Sequence, residues 1–259
     1  MPFAARDGRR IYWKLEGADA APPLVLLNSI GTDMDLWDAA LPELRSAYRL
    51  LRVDTRGHGA SDAGAGDYSL AGLSDDVFAA MDDAGIANAA VAGVSLGGMM
   101  AMEMELARPD RISALVLVCT SATMDPAAWE ARVAAVRGGG TASIADLAVE
   151  RFLSPDFVAR EPAITATIRR GVIATADDGY AGCAAAIRDM DLANRITAIS
   201  CPTLVVTGRQ DISTPLDGHG DAILSRIAGA RHAAVSGAHL PPVEAPGELA
   251  TAIDDLLQG

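Results

Sequence analysis

The sequence predicts an α/β fold: a mostly parallel sheet with helices on both faces, interrupted by an inserted helical segment. Short apolar runs such as 24–27 and 89–92 alternate with segments of helical periodicity. Such runs are typical of parallel strands that are buried on both faces. From about 124 to 194 the alternation stops and only helical patterns remain, and strand character returns at 203–207. We therefore expect a helical insertion of about 70 residues within one sheet.

The elements before the insertion each have a local signal. The turn Asp7-Gly8 predicts a hairpin that pairs residues 3–5 with 10–15. A helix is expected at 70–84 because its apolar side chains recur on one face, and another at 96–107 because Pro109 stops it. The other elements expected here are strands at 24–27, 48–53, 89–92 and 112–118 and a short helix near 37–44.

After the insertion, the sheet is expected to resume and finish the chain. A strand at 203–207 is followed by a helix at 222–227, a strand at 231–235 and a final helix at 246–257. The expected organisation is a first core part at 1–123, a helical cap at 124–197 and a second core part at 198–259.

Composition narrows the function classes. The chain has 259 residues, half of them hydrophobic, which suits one large α/β domain. Its 21 basic and 34 acidic residues give a net charge of −13, which repels phosphate backbones and anionic lipid. We therefore expect no nucleic-acid or membrane partner. With no signal-peptide pattern and no apolar run of 18 residues, the expected location is cytoplasmic. Whether the chain forms a homo-oligomer is left open.

The sequence predicts neither a metal nor a cofactor. Lys14 is the only lysine, so P-loop chemistry is excluded and no other lysine could form a Schiff base. Metal-ligand spacings such as paired Cys-x-x-Cys or His-Glu-x-x-His do not occur. The three scattered cysteines are expected to be small buried side chains in a reducing compartment: Cys119, Cys183 and Cys201.

The segment 93–97, Gly-Val-Ser-Leu-Gly, indicates a nucleophilic serine. This G-x-S-x-G pattern follows a predicted buried strand and opens a predicted helix, which is the context that gives it meaning. Small residues are needed on both sides because the serine occupies a sharp, strained turn. The helix N-terminus also offers N–H groups to a developing oxyanion. Ser95 is therefore the candidate nucleophile, and an ordinary glycine turn is the alternative.

Four histidines are candidates for the general base that a nucleophilic serine needs. His58 is expected to fix a loop, His219 lies in a polar loop and His232 falls inside a strand. His239 follows the last strand, where a loop could bring it over Ser95. The base is therefore expected to be His239.

The acid that orients the histidine is expected to follow the strand at 203–207. Asp211 stands there, with a turn-capping role as its alternative and Asp217 as the next candidate acid. Ser95, Asp211 and His239 follow the Ser…Asp…His chain order of α/β-hydrolases. For the oxyanion hole, the loop after strand 24–27 suggests the Ile30 N–H, paired with the Leu96 N–H.

The chain resembles the bacterial 3-oxoadipate enol-lactonases, which are α/β-hydrolases of the β-ketoadipate pathway of aromatic catabolism. The matching stretches lie at 28–33 with Trp37, 54–61, 93–99, 129–132, 136–137, 179–180 and 183–192. The stretches in the cap are the most particular to the family. The chain departs from the family's pattern at Phe152, where a Trp is usual, at Pro241-Pro242 after the catalytic histidine, and at the methionines after Met99, where a glutamine is common.

The resemblance implies hydrolysis of a carboxylated enol-lactone through an acyl-enzyme on Ser95. Because the protein is acidic, an anionic substrate needs a local cation, for which Arg132 and Arg188 are candidates. Trp129 is expected to wall the pocket or to belong to the cap core. The alternatives are a generalist esterase, lactonase or perhydrolase acting on another small ester, the same fold used for carbon–carbon cleavage or cofactor-free oxygen chemistry, and a slow-turnover sensor of a small molecule.

Overall fold

A computed structural model describes residues 2–259 and contains one eight-stranded sheet. The strands are β1 (Phe3–Arg6), β2 (Arg9–Glu16), β3 (Pro23–Leu27), β4 (Arg49–Val53), β5 (Ala89–Val94), β6 (Ile112–Val118), β7 (Thr203–Gly208) and β8 (Arg231–Val235). Their order across the sheet is β1-β2-β4-β3-β5-β6-β7-β8. The β1–β2 and β2–β4 pairs are antiparallel and the rest are parallel. The predicted fold class is therefore confirmed.

The central strands are largely buried because helices pack against them. β3 and β5 pair in register from Leu24 with Ala90 to Leu27 with Gly93. Every residue of β5 and of β7 is buried, as expected for parallel strands without a solvent face. The helices outside the inserted segment are α1 (Leu41–Ala47), α2 (Leu70–Asp83), α3 (Leu96–Ala107), α9 (Asp221–Leu224), α10 (Pro241–Glu244) and α11 (Pro246–Leu257).

Five α-helices and two short 3-10 helices, Thr141–Ile144 and Ile196–Ala198, lie between β6 and β7. The α-helices are the larger elements. They are α4 (Pro126–Gly139), α5 (Ala145–Phe152), α6 (Pro155–Arg160), α7 (Pro162–Ala174) and α8 (Asp177–Asp189). Helices α4 and α8 pack against each other, as do α5 and α7. Prolines at the first position of α4, α6 and α7 explain why these helices begin where they do, since proline lacks the N–H that a first turn leaves free. The cap boundaries 124–197 stay a prediction.

The structure corrects three local predictions. Residues 34–40 form a 3-10 helix that Asp33 caps by accepting from the Asp35 N–H, and α1 follows it, in place of one helix near 37–44. The helix expected at 222–227 is the single turn α9, which ends at Leu224. The short helix α10 was not predicted from the sequence. Within residues 2–259, no helix is long and apolar enough to cross a membrane.

Candidate active site

Ser95 stands in a sharp turn between β5 and α3. Its φ of 54° and ψ of −114° lie outside the regions that a side chain ordinarily allows. Neighbouring strands hold this conformation in place: the Ser95 N–H donates to the Val118 carbonyl at 2.9 Å, and the Thr120 hydroxyl donates to the Ser95 carbonyl at 2.7 Å. A strained residue fixed by its surroundings is typical of a nucleophile elbow.

The glycines around Ser95 are required by close backbone contacts. A Cβ atom on Gly93 would lie 2.2 Å from the Gly97 carbonyl oxygen, and one on Gly97 would lie 2.7 Å from the Leu27 carbonyl oxygen. The Gly97 N–H also donates to the Asn28 carbonyl at 3.1 Å. The elbow is therefore pressed against the loop after β3, which carries Ile30.

His239 and Asp211 form a buried pair at the ends of β8 and β7. His239 Nδ1 lies 3.0 Å and 3.1 Å from the two carboxylate oxygens of Asp211. The same carboxylate accepts from the Ser213 N–H at 2.8 Å and from the Thr214 hydroxyl at 2.9 Å. Burial raises the pKa of Asp211, but the positive charge and hydrogen bond of His239, with these other donors, lower it well below its usual range. An ionised Asp211 can therefore orient the imidazole.

The cap segment at the end of α5 contacts the histidine directly. The backbone N–H of His239 donates to the backbone carbonyl of Phe152 at 3.1 Å, and the two rings stack with centroids 5.9 Å apart. Two residues on, the Ser154 hydroxyl donates to Glu244 at 2.5 Å, and Glu244 also accepts from the Ala238 N–H at 2.9 Å. Residues 152–154 are therefore hydrogen-bonded to His239 itself and to Glu244, which also binds the residue before the histidine.

The predicted oxyanion donors lie on the two segments that the elbow brings together. Among residues 2–259, neither the Ile30 N–H nor the Leu96 N–H has an acceptor within hydrogen-bond distance. His58 fixes the Ile30 loop: its Nε2 accepts from the Gly31 N–H at 2.9 Å, while Nδ1 lies 3.1 Å from the Arg56 carbonyl. Burial lowers the pKa of His58 to about 4, which keeps this ring neutral.

A cavity of about 400 Å³ joins Ser95 and His239. No hydrogen bond within 3.5 Å connects the Ser95 hydroxyl to His239 in the part of the chain described, and such contacts are often loose without a substrate. The apolar or aromatic side chains that line the cavity are Ile30, Met99, Met124, Ala128, Trp129, Ala148, Phe152, Ile212 and Pro215. Its charged lining consists of Asp125, Arg132 and Arg151, besides the histidines.

Arg132 is the predicted cation that the structure brings to this cavity. Its Nη1 donates to the Tyr180 hydroxyl at 3.0 Å, and its guanidinium lies 5.4 Å from the centroid of the Trp129 ring. No carboxylate of residues 2–259 lies within 4.0 Å of it. Trp129 lines the cavity and also packs against the hydrophobic core. Arg151 was not singled out from the sequence, where an arginine at the end of a cap helix carries no distinguishing signal.

Arg188 does not lie in the cavity lining, contrary to its place among the candidates. Its guanidinium binds three carboxylates: Glu130 at 2.6 Å, Asp67 at 2.8 Å and Asp189 at 2.6 Å. Arg188 therefore connects α8, α4 and the loop before α2, and its positive charge is already compensated. Asp217, the alternative acid, is exposed and makes no contact with His239.

His219 and His232 each lie beside a hydroxyl group, and His219 also lines the Ser95 cavity. His219 Nδ1 lies 2.8 Å from the Ser121 hydroxyl, and His232 Nε2 lies 2.9 Å from the Thr207 hydroxyl. Potential ligand atoms of Cys119, Asp211 and His239 lie within 4.8 Å of one another. They suit a metal poorly, because Asp211 and His239 bind each other. Burial and the Asp211 charge also raise the pKa of the Cys119 thiol well above its usual value.

Comparisons with known proteins agree with this geometry. The alpha/beta hydrolase fold model matches residues 22–246. The 3-oxoadipate enol-lactonase 2 of Acinetobacter baylyi is 30% identical over 99% of this chain and 96% of its own. The crystal structure of the enol-lactonase from Burkholderia xenovorans LB400 covers all of both chains at 33% identity with a TM-score of 0.96. A hydrolase from Pseudomonas aeruginosa PA01 is 38% identical, covers 99% of this chain and 98% of its own, and has a TM-score of 0.95.

The fold, together with a strained serine that shares one cavity with the histidine of a histidine–carboxylate pair, is typical of hydrolases. The chain belongs to the α/β-hydrolase family. The resemblance to 3-oxoadipate enol-lactonases that the sequence indicated is confirmed by these relatives.

Proposed function

We propose that this hydrolase opens an enol-lactone that bears a carboxylate, converting 3-oxoadipate enol-lactone to 3-oxoadipate through an acyl-enzyme on Ser95. The observation that carries the proposal is the cation Arg132, which no carboxylate of residues 2–259 neutralises, in the cavity that Ser95 and His239 line. The protein has a net charge of −13, which repels an anionic substrate, and such a cation attracts that substrate locally.

The chemistry would proceed in two halves. Ser95 Oγ attacks the ring carbonyl and its proton passes to His239 Nε2, while Asp211 stabilises the imidazolium that results. The Ile30 and Leu96 N–H groups would hold the oxyanion. The acyl C–O bond of the ring then breaks, the ring oxygen takes the proton as an enol, and the enol tautomerises to a ketone. Water activated by His239 then releases the acid.

An assay of lactone absorbance tests the proposal. Purified protein is mixed with the enol-lactone, and the loss of its ultraviolet absorbance is followed beside Ser95→Ala. We expect rapid decay with the native protein and none above background with the variant. No decay with the native protein would reject the substrate, and equal decay with both would reject Ser95 as nucleophile.

A second candidate is a generalist esterase or lactonase with the same residues. It is favoured by Ile212, which lines the cavity with 61% of its surface exposed and so extends an apolar wall toward solvent. Neutral lactones and aryl esters, measured beside the carboxylated lactone, separate the two candidates. A kcat/KM for a neutral lactone equal to that for the carboxylated one would favour the generalist.

A further inference from the structure

Arg151 is a second arginine in the lining of the Ser95 cavity. Like Arg132, it has no carboxylate within 4.0 Å among residues 2–259, and its guanidinium makes no hydrogen bond there. The one carboxylate in the cavity lining, Asp125, caps α4 by accepting from the Ala127 N–H at 2.9 Å. The cavity therefore carries more positive than negative charge.

The two arginines are held at different places. Arg132 is fixed on α4 by Tyr180 and Trp129. Arg151 lies in the last turn of α5, and its backbone carbonyl accepts from the hydroxyl of Ser213, two residues from Asp211, at 3.1 Å. The next residue, Phe152, stacks on His239. The backbone of Arg151 is thus anchored beside the acid–base pair, whereas the side chain of Arg132 is anchored in the cap.

Two guanidiniums in one cavity repel each other more strongly than they would in water, because protein walls lower the effective dielectric. The ligand that relieves this repulsion best is one with two negative charges. Guanidinium groups also bind carboxylates through paired N–H donors, which makes a carboxylate at each arginine the natural complement.

The reaction proposed above produces such a ligand. Water adds across the acyl C–O bond: the acyl carbon becomes a carboxylic acid that ionises with release of one proton, and the ring oxygen leaves as an enol. A lactone with one carboxylate therefore becomes an open-chain compound with two.

We propose that the cavity is a two-point site for linear dicarboxylates. Arg132 binds the carboxylate that the lactone already carries, and Arg151 binds the carboxylate that hydrolysis creates. The inference rests on the proposed function and extends it: Arg151 determines which open-chain acids fit, and the product of the reaction is a competitive inhibitor.

Binding of two unreactive acids tests this assignment. Adipate has a carboxylate at each end of six carbons, and hexanoate has one. Isothermal calorimetry with the native protein is expected to give at least a tenfold lower Kd for adipate, since a charge-assisted hydrogen bond supports roughly that factor. Arg151→Met should raise the Kd of adipate about tenfold and leave that of hexanoate within about twofold, whereas Arg132→Met should weaken both.

Two further variants serve as controls for this experiment. Arg170→Met removes an exposed cap arginine outside the cavity lining and should change neither affinity. Arg151→Lys keeps the charge and should restore part of the adipate affinity. Equal affinities for adipate and hexanoate in the native protein would overturn the inference, as would equal weakening of both acids by Arg151→Met. Because binding is measured without turnover, the lactone assay can fail separately: two-point adipate binding without hydrolysis would reject the proposed function and keep the dicarboxylate site.

Discussion

The ring of Phe152 stacks on the ring of His239 at a centroid distance of 5.9 Å, with only 13° between their planes. The backbone carbonyl of the same phenylalanine accepts the His239 N–H. One residue of the cap therefore fixes both the backbone and the ring of the predicted base.

We expect Phe152→Ala to lower kcat about fivefold, since an aromatic pair contributes roughly 1 kcal/mol. The carbonyl acceptor remains in this variant, so the loss reports on the ring. Phe152→Trp should keep most of the rate because it keeps the stack. The matched control is Phe157→Ala, which empties a buried phenylalanine site in α6 outside the cavity lining. If both alanine variants lose rate equally, general loosening of the cap explains the effect.

At Ser95, stability and activity should separate. Both Ser95→Gly and Ser95→Ala remove the hydroxyl and should abolish hydrolysis. Glycine accepts a φ of 54° without strain, however, so Ser95→Gly should be more stable than Ser95→Ala by about 1 kcal/mol, after its greater loss of backbone entropy. Chemical denaturation of the two variants measures the difference. Equal stability would mean that the turn stores little strain.

For the acid, Asp211→Asn should reduce kcat/KM by about 10⁴-fold, because the amide cannot stabilise the imidazolium and favours the wrong tautomer. Asp217→Asn is the matched control in the same loop and should stay within about twofold. A loss of less than about tenfold at Asp211 would make another acid the orienting residue.

Arg132→Met should raise KM for the carboxylated lactone by roughly 10- to 100-fold, the range expected for a hydrogen bond to a charged group. KM for a neutral lactone should change little. Arg188→Met also removes one cap arginine, but one whose partners are three carboxylates, and is expected to leave both KM values near those of the native protein. A larger KM effect at Arg188 than at Arg132 would refute the assignment.

His58 should make the protein sensitive to acid. Its pKa of about 4 lies below the value of 6.5 expected in the unfolded chain, so the unfolded state binds more protons between these pH values. The free energy of unfolding that His58 contributes is therefore complete above pH 6.5 and lost as pH falls to 4, by up to about 3 kcal/mol.

Asp54 opposes this trend, because burial raises its pKa to about 6 and the folded state there binds the extra proton. Subtracting the unfolding free energy of His58→Gln from that of the native protein removes the Asp54 contribution. The difference should shrink from pH 7 to pH 4, and a constant difference would show that His58 does not titrate in this way.

The sequence predicted the sheet and the chain order of the candidate triad because both depend on local patterns. The elbow motif follows a buried run, and Asp211 and His239 each follow a strand that ends at the same edge of the sheet. Which arginines line the cavity could not be predicted from local patterns, because it depends on contacts between residues that are far apart in the sequence. Arg188 is neutralised in part by Asp67, 121 residues away, and the backbone carbonyl of Arg151 accepts a hydrogen bond from the hydroxyl of Ser213, 62 residues away.

The bonds that tie residues 152–154 to His239 and Glu244 bear on how this enzyme can be engineered. Exchanging the inserted helices for those of a relative would also exchange the acceptor of the His239 N–H and the stacking partner of its ring. Specificity and base alignment would then change together in one graft. A chimera that keeps residues 151–154 and Glu244 from this chain, and replaces the helices on either side, would separate the two traits and let the acyl pocket be redesigned around an undisturbed imidazole.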